Sequence, residues 1–349
     1  MKKLNIAVIF GGCSSEYGVS LESAYSVIRN LDQEKYHPVP VGITEKGQWF
    51  YFTGDIAKIK DDTWCNSADC IPAVFSPDRG CNRLLLLEGK PMEAVYIDAA
   101  FPVLHGRNGE DGTVQGLIEL AGVPLVGCGT LASALCMDKD RAHKLVQAAG
   151  VHVPKAFVME SNTEWKAVLQ FAEQMDYPLY VKPVKAGSSY GVTRVQSREE
   201  LKQAIDLAFE YDDQVIMEEN MEGFEVGCAV LGKGCLMVGE VDEIELSGGF
   251  FDFTEKYTLK NSAIHVPARI SCKKAQEIKE TAQKIYRTLG CSGFARVDMF
   301  LTPDGEIVFN EVNTIPGFTE HSRYPGMMKA AGYSFADILD KLIDQAVRA

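Results

Sequence analysis

The sequence predicts a protein of several domains, in which an open parallel α/β domain comes first and mixed α/β and α+β structure follows. Its 349 residues, at about 150 residues per domain, indicate two or three domains. In the first third, apolar strands run into glycine-rich loops and then into helical patterns, as in α/β sheets. Towards the C-terminus, Asp304-Gly305 separates two apolar runs, which indicates an antiparallel hairpin.

Composition narrows the classes of function. Hydrophobic residues make up 46% and charged residues 24% of the chain, which excludes a disordered, collagen-like or coiled-coil protein. With 35 basic and 48 acidic residues, the net charge of −13 argues against nucleic-acid or anionic-membrane partners. Any bound anion must therefore be held by a local cluster of positive groups. The ten cysteines lack the close C-x2-C spacing of a zinc site, so we expect reduced thiols.

No targeting or membrane segment is expected. The apolar run at residues 4–10 ends at Gly11-Gly12, too short for a secretory leader and far short of the roughly 20 residues of a membrane helix. It is better explained as a buried first strand. Together with the cysteine usage, this predicts a cytoplasmic protein.

The first third is expected to alternate strands with loops and helices. Polar glycine loops that follow strands place ligand-handling residues at the carboxyl ends of the strands, where open α/β sheets bind ligands. The segment 44–91 has weak periodicity and frequent turn signals, and no chemistry is assigned to it. The other expected elements are a strand at 6–10, a glycine loop at 11–16, a helix at 19–28, strands at 38–43 and 94–103, a polar loop at 105–112 and a helix at 113–121.

The remainder begins near Gly127 and contains a second glycine loop. The segment 243–262 mixes Gly, Phe, Asp and Lys without a period, and a loop of about 20 residues in a compact domain is usually functional, often a lid. We predict domains at 1–127, 128–217 and 218–349. The expected elements are a helix at 138–149, a strand at 179–183, the glycine loop at 185–191, a strand at 215–218, a helix at 275–289, the hairpin at 294–312 and a helix at 335–347.

The hairpin carries the strongest chemical signal. A two-residue Asp304-Gly305 turn pairs Pro303 with Glu306, and side chains two apart share a face of the sheet. Clustered carboxylates in apolar surroundings repel unless a cation lies between them, and Mg²⁺ prefers oxygen ligands. The alternative is a salt bridge from Arg296 to a carboxylate on a solvated sheet face. Counting outward from the turn sets Asp298 opposite Glu311 and Arg296 opposite Asn313, all on one face.

Several lysines suggest a nucleotide site. Lys182 ends an apolar strand just before Gly187-Ser188-Ser189, and such a loop can cradle phosphate. Lys139 opens a helix, and Lys256 in the irregular loop could reach a γ-phosphate when a lid closes. Taken alone, Lys182 could equally be a solvated lysine in an ordinary turn, and a lone helix lysine such as Lys139 or a loop lysine such as Lys256 is usually a surface residue. The sequence contains neither a P-loop nor a G-x-G-x-x-G motif, so the site must be of another type.

In order along the chain, these segments resemble the D-alanine–D-alanine ligase family of the ATP-grasp superfamily. The resemblance leaves only residues 44–91 without a motif. Glu255-Lys256-Tyr257 and Ser322-Arg323-Tyr324-Pro325 further resemble the vancomycin-resistance ligases of the VanG type, which make D-alanyl-D-serine; the housekeeping ligases usually have leucine where Arg323 stands. The motifs are 11–16 with Val19-Ser20, 105–112, Met137-Asp138-Lys139, 181–191 and 296–325.

The resemblance implies an ATP-grasp fold behind an N-terminal open parallel α/β domain, and a two-step reaction. ATP phosphorylates the carboxylate of a first D-alanine, and the amine of D-serine, or of a second D-alanine, attacks the acyl phosphate. It implies two Mg²⁺ ions, for which Mn²⁺ could substitute, and a homodimer. D-Lactate is disfavoured, because lactate-using relatives generally lack a tyrosine at the position of Tyr257.

It also implies roles residue by residue. Lys139, Lys182 and Ser189 would hold the α- and β-phosphates, Lys256 the γ-phosphate, and Glu218, Glu219, Met221 and Glu225 the adenine and ribose. Asp298, Glu311 and Asn313 would bind the two Mg²⁺ ions, the trio that the hairpin count groups independently. Glu16, with Ser188 and Tyr257, would hold the ammonium of the first D-alanine, His105 would lie near its carboxylate, and Arg296 with the Gly317 backbone would stabilise the tetrahedral oxygen. Ser322 and Arg323 would contact the second substrate.

Two of these roles have explicit alternatives. His105 could instead cap the helix that follows its loop. Selection of serine needs a polar partner for its hydroxyl, because an apolar pocket separates serine from alanine poorly; Arg323 and polar groups of 242–257 could organise that partner. D-alanine–D-alanine ligation, ligation of other substrates by an ATP-grasp enzyme, and a nucleotide-binding regulator without turnover are the competing functions.

Overall fold

The structure is a computed structural model that describes residues 2–66, 68–88, 93–187, 190–246 and 262–348. Across these ranges, no helix combines the length and the apolar character that a membrane crossing requires. All ten cysteines are free thiols, as expected.

The first sheet has the order β6-β5-β4-β3-β2-β1-β7. Its β1 strand pairs in parallel with β2 and β7, which confirms the parallel arrangement expected around the first strand. The segment without assigned chemistry extends this sheet through antiparallel strands. The strands are β1 Leu4–Gly11, β2 Tyr36–Ile43, β3 Trp49–Phe52, β4 Cys70–Phe75, β5 Arg83–Leu86, β6 Ala94–Tyr96 and β7 Ala99–Pro102; the helices are α1 Tyr17–Asn30, α2 Ala57–Lys60 and α3 Thr113–Ala121, with a 3₁₀ turn at Trp64–Asn66.

The strand expected at 94–103 is two strands, β6 and β7. Residues Ile97 and Asp98 separate the two strands, and β6 and β7 lie at opposite ends of the strand order. The Asp98 carboxylate accepts a 2.7 Å hydrogen bond from the backbone N–H of Asn5, which ties this break to the start of β1. A single apolar run could not reveal the break.

The second sheet is antiparallel, with the order β10-β9-β11-β8. Helices α6 and α7 bury apolar side chains such as Val168 and Leu201 against it. Two further helices, α4 and α5, precede the sheet. The elements are α4 Thr130–Met137, α5 Lys139–Ala148, β8 Ala156–Glu160, α6 Trp165–Gln174, β9 Leu179–Pro183, β10 Thr193–Val195, α7 Arg198–Phe209 and β11 Gln214–Glu219.

The third sheet has the order β15-β14-β12-β16-β17, with β13 paired to β12. The segment predicted as a lid begins in β14 and ends in β15, and its residues 247–261 lie outside the described ranges. The elements are β12 Phe224–Lys233, β13 Cys235–Val238, β14 Asp242–Leu246, β15 Ser262–His265, α8 Cys272–Thr288, β16 Phe294–Leu301, β17 Ile307–Asn313, α9 Arg323–Ala330 and α10 Phe335–Arg348.

An aromatic cluster joins the first and third sheets. The ring of Phe101 in β7 lies 5.9 Å from that of Phe294 in β16, and both contact Phe318 edge to face. Buried edge-to-face pairs of this kind stabilise beyond their area. The N-terminal loops and the β16–β17 hairpin are therefore held in one fixed arrangement, with the candidate site between them.

Candidate active site

A cavity of about 800 Å³ lies where the three sheets meet. The loops after β1 and β7, the start of α5, the loop after β9 and the end of the hairpin all contribute to its wall. It brings together predicted residues from distant parts of the chain: Glu16, His105, Lys139, Arg296, Glu311, Asn313, Gly317, Ser322 and Arg323.

The hairpin has the register predicted at the site and a different one at the turn. Asp298 pairs with Glu311 and Arg296 with Asn313, as expected. The predicted Pro303–Glu306 pair is wrong, because Thr302 N–H donates to Glu306 O across a three-residue loop. A β-bulge between Asp298 and Met299 then shifts the register back. The two offsets cancel, so the predicted trio still shares a face.

The three proposed metal ligands converge. Asn313 Nδ2 lies 3.0 Å from Asp298 Oδ2 and 3.5 Å from Glu311 Oε1. The alternative salt bridge also exists: Arg296 Nε and Nη2 donate to Asp298 at 2.8 and 2.6 Å. Its setting is a buried face rather than a solvated one, since Asp298 is 1% exposed.

This donor set fits Mg²⁺. In this structure the amide nitrogen of Asn313 donates to the two carboxylates; with the amide turned over, its oxygen and the two carboxylates would supply the all-oxygen ligation that Mg²⁺ prefers. The cavity beside Glu311 and Asn313 leaves room for waters and phosphates. In the described ranges, no group of three or more His, Cys, Asp or Glu side chains is arranged to hold a metal, so this mixed carboxylate–amide set is the candidate.

Two lysines flank the second glycine loop. Lys139 Nζ donates to Ala186 O at 2.7 Å, and Lys182 Nζ lies 2.7 Å from Glu218 Oε2. Burial alone would lower the pKa of Lys182, but the Glu218 carboxylate raises it above its ordinary value, so the ammonium stays charged. Lys139 lines the cavity and supplies positive charge there, whereas the charge of Lys182 is balanced by Glu218.

Glu16 lies where three loops meet. The residue is 7% exposed. A Cβ added at Gly106 would lie 2.7 Å from Glu16 Oε2, and one at Gly187 would lie 2.9 Å from the same atom. Only glycines at both positions let the loops close this tightly over the carboxylate, which therefore faces a narrow recess of the cavity.

His105 and Glu110 both hold the backbone of Ile315. His105 Nδ1 lies 2.9 Å from Ile315 O, and Glu110 Oε1 accepts from Ile315 N–H at 2.9 Å. Burial lowers the pKa of His105, which Glu16 opposes only in part. The helix-capping alternative for His105 is wrong, because α3 starts after Gly112 and has no side-chain cap. These bonds hold the 105–112 loop against the segment that leads to Gly317.

Arg323 is buried among three carboxylates. Its Nε and Nη2 donate to Asp242 at 2.7 and 2.9 Å, and Nη1 donates to Glu225 at 2.8 Å. Nη2 also lies 3.4 Å from Asp298 Oδ1. Burial alone would lower the pKa of Arg323, but Asp242 and Asp298 raise it well above its ordinary range. The predicted ribose residue and the predicted second-substrate residue therefore contact each other.

Some of the remaining predicted residues lie at or near the ends of strands and helices, and the others lie outside the described residues. Glu218, at the end of β11, is 2% exposed. Glu219, its neighbour, accepts from Lys155 N–H at 2.8 Å, and Met221 lies in the link between β11 and β12. Ser322 is the N-cap residue of α9, and its Oγ accepts from Thr319 N–H at 3.0 Å. Ser188, Ser189, Lys256 and Tyr257 lie outside the described residues.

Sequence reasoning missed Glu110 and His143. Burial, and then Glu16, raise the pKa of Glu110 to about 8, and its position in the polar loop 105–112 was the available signal. His143 is buried beside Glu218. The sequence around His143 gave no signal of a functional role, because the residues that it contacts are far away in the sequence.

Two family models match this chain. One, described as D-ala D-ala ligase N-terminus, matches residues 5–128, and the other, D-ala D-ala ligase C-terminus, matches residues 145–344. The chain belongs to the D-alanine–D-alanine ligase family. It is thus a ligase with the ATP-grasp fold, in a family that generally uses ATP and Mg²⁺.

Individual relatives match over almost the whole chain. The vancomycin B-type resistance protein VanB of Enterococcus faecalis is 46% identical, with 99% of each chain covered. A putative D-alanine–D-lactate ligase of Streptomyces coelicolor is 44% identical, again with 99% of each covered. Among solved structures, the VanG D-Ala:D-Ser ligase from Enterococcus faecalis superposes with a TM-score of 0.92 at 56% identity, covering 99% of this chain and 100% of that one. These names include different second substrates, so membership in the family leaves the second substrate open.

Proposed function

We propose that this ligase joins D-alanine to D-serine at the expense of ATP, and so supplies D-alanyl-D-serine for peptidoglycan precursors and vancomycin resistance. A carboxylate oxygen of the first D-alanine attacks the γ-phosphorus, and ADP leaves. The amine of D-serine then attacks the acyl carbon of the D-alanyl phosphate and loses a proton, and phosphate leaves from the tetrahedral intermediate. The likeness to the VanG ligase supports this choice of second substrate.

The residues of the cavity, together with Lys182 and Asp298, suit the first step. Lys139 and Lys182 would hold the α- and β-phosphates, and Glu16 would bind the ammonium of the first D-alanine in its recess, with the neutral His105 near the carboxylate. Asp298, Glu311 and Asn313 would hold two Mg²⁺ ions, which supply charge neutralisation along the triphosphate, as would Mn²⁺. Phosphoryl transfer depends chiefly on positioning and charge, so these groups suffice without covalent participation of the protein.

The second step requires stabilisation of a developing oxyanion. Arg296 lines the cavity with its guanidinium anchored on Asp298, and the Gly317 backbone lies on the same wall. Fixed donors of this kind are effective because they need no reorganisation as charge develops. The adenine and ribose roles of Glu218, Glu219, Met221 and Glu225, the roles of Ser188, Ser189, Lys256 and Tyr257, the three domain boundaries and the homodimer remain predictions.

The observation that best supports serine is the polar unit around Arg323. A permanently charged guanidinium, held bidentately by a fully buried Asp242, lies at the cavity wall beside Ser322. Such a unit gives a hydroxyl a fixed polar partner, which an apolar leucine at this position could not provide. Sites built to bind a hydroxyl discriminate far better than apolar pockets do.

Gly227 makes room for this unit. Its N–H donates to Asp242 Oδ1 at 2.8 Å. A Cβ added there would lie 2.5 Å from Arg323 Nη2 and 2.6 Å from Asp242 Oδ1. Gly227→Ala is therefore a second way to disturb the unit, because the added methyl group must displace Arg323 or Asp242 although neither side chain is removed.

Phosphate release tests the reaction. ATP with D-alanine and D-serine together should release phosphate faster than ATP with either amino acid alone. Faster release with D-alanine alone than with both amino acids would favour D-alanine–D-alanine ligation, the second candidate. No phosphate release in any of these mixtures would indicate a nucleotide-binding regulator or a ligase of other substrates.

Selectivity tests the serine proposal. Arg323→Leu and Gly227→Ala should both lower the ratio of kcat/KM for D-serine to that for D-alanine. Arg269→Leu is the matched control, because Arg269 also binds a carboxylate, Glu243, but is half exposed. An unchanged ratio in Arg323→Leu would exclude Arg323 as the selector.

A further inference from the structure

His143 connects the helix of one proposed phosphate lysine to the strand of the proposed metal ligands. It lies one turn after Lys139 in α5 and is 5% exposed. Its Nε2 lies 2.8 Å from the backbone oxygen of Asn310 in β17. Because a carbonyl oxygen only accepts hydrogen bonds, Nε2 is the donor.

Asn310 is the extra residue of the β-bulge. Asp298 pairs with Glu311 and Met299 with Phe309, which leaves Asn310 without a partner in β16. Without the bulge, the register at the turn would set Asn310 opposite Asp298, because a slip of one residue moves every side chain to the other face. The bulge therefore brings Glu311 and Asn313 to the face of Asp298, and an unpaired strand carbonyl needs a donor from elsewhere.

The other edge of the ring faces the proposed nucleotide residues. His143 Nδ1 lies 3.8 Å from Glu218 Oε1, and Glu218 Oε2 binds Lys182. Within the described part of the chain, neither Nδ1 nor Oε1 has a hydrogen-bond partner. The His143 ring also packs edge to face on Phe309, with centroids 5.4 Å apart. Phe309 lies in β17 next to the bulge, so this contact fixes the orientation of the ring.

We propose that His143 is a positioning residue that holds the bulge at Asn310. It thereby keeps Glu311 and Asn313 on the face of Asp298, where they would bind the divalent cation next to the phosphates held by the lysines. This inference deepens the proposed function and rests on it. His143 touches neither phosphate nor metal in this scheme; it acts through the Asn310 carbonyl. Residues that orient metal ligands in this way typically change metal affinity about 10- to 100-fold when they are replaced.

The test measures how strongly Mg²⁺ and nucleotide bind together, independently of turnover. Calorimetry on the full chain gives the Kd of ADP with and without Mg²⁺, and the ratio is the coupling. His143→Leu should lower that coupling about tenfold. His143→Gln, whose amide nitrogen can take the place of Nε2, should keep most of it, whereas His143→Asn, which mimics only Nδ1, should not.

His152→Leu is the matched control. His152 also bonds to this strand, but through its backbone oxygen, which accepts from Phe309 N–H at 2.8 Å, while its side chain is 67% exposed. It should leave the coupling unchanged. Amide hydrogen exchange at 310–312 should be faster in His143→Leu than in the control, because the bulge loses its donor.

The outcomes separate this inference from the function beneath it. Normal coupling in His143→Leu, even with a lower melting temperature, would make His143 merely structural and overturn the inference alone. Rescue by asparagine rather than glutamine would do the same. If wild-type ADP binding did not respond to Mg²⁺, the proposed nucleotide–metal site would fail, and this inference with it.

Discussion

The buried pair of Lys182 and Glu218 allows phosphate binding to be separated from stability. The two side chains are 14% and 3% exposed and 2.7 Å apart. Lys182→Met leaves the Glu218 carboxylate buried without its partner, and breaking a buried pair costs about 3–5 kcal/mol. Replacing both members by neutral groups is often close to neutral in stability, so Lys182→Met/Glu218→Gln should recover most of the loss.

ATP binding should not recover with stability. A hydrogen bond from a charged donor contributes about 1.5–3 kcal/mol, which corresponds to about 10- to 100-fold in affinity. We therefore expect the ATP KM of both the single and the double variant to rise by that factor, in an assay of ADP release. Denaturant unfolding of the same samples reports the stability.

Glu218→Gln is the control, because it loses any direct contact of the Glu218 carboxylate with adenine, as the double variant does, but keeps Lys182. The double variant should have a much higher ATP KM than this control. It should also be the more stable of the two, because Glu218→Gln leaves the Lys182 ammonium buried without its partner. If the double variant and Glu218→Gln had the same ATP KM and rate, Lys182 would be a structural residue and its phosphate contact would be refuted.

Three further predictions concern the substrates and pH. Arg296→Ala should lower turnover by about 10²–10³, the usual effect of losing an oxyanion donor; retention of more than about a tenth of the wild-type rate would exclude that role. Glu16→Gln should raise the KM of the first D-alanine and leave the ATP KM unchanged, which steady-state kinetics with each substrate varied in turn would measure. An unchanged D-alanine KM would contradict the role of Glu16. Burial lowers the pKa of His105 from 6.5, so the unfolded chain binds more protons below that pH and stability should fall on acidification; denaturant unfolding should give a smaller fall for His105→Gln, and an equal fall would contradict the assignment.

Strongly periodic elements could be predicted, and short strands that depend on pairing could not. The helix expected at 113–121 is α3, and the strand expected at 179–183 is β9. Between β2 and β7 the strands have only three to six residues, too few to establish a period. Their identity depends on the neighbouring strand, which a local pattern does not contain.

The hairpin shows how a correct site can follow from an incomplete argument. Asp304-Gly305 suggested a two-residue turn that needs positive φ at both positions, but only Gly305 has one, at +81°. Proline at the preceding position favours a type I turn, and the three-residue loop results. The register error would have moved Glu311 to the wrong face, had the bulge at Asn310 not reversed it.

The candidate site divides in the same way. The pairing of Asp298 with Glu311 and the place of the polar loop 105–112 beside the cavity could be predicted, because each lies next to a turn signal or a strand end. Asp242 as the partner of Arg323, and His143 as the donor to Asn310, join segments 81 and 167 residues apart. Only the packing of the three sheets brings these pairs together.

The convergence of Asp298, Glu311 and Asn313 on divalent cations is tested most directly by crystals grown with ADP and Mn²⁺, measured for anomalous scattering from manganese. The account predicts anomalous peaks in direct contact with oxygen atoms of all three side chains and of the nucleotide phosphates. Bound nucleotide with no manganese peak near these side chains would contradict it.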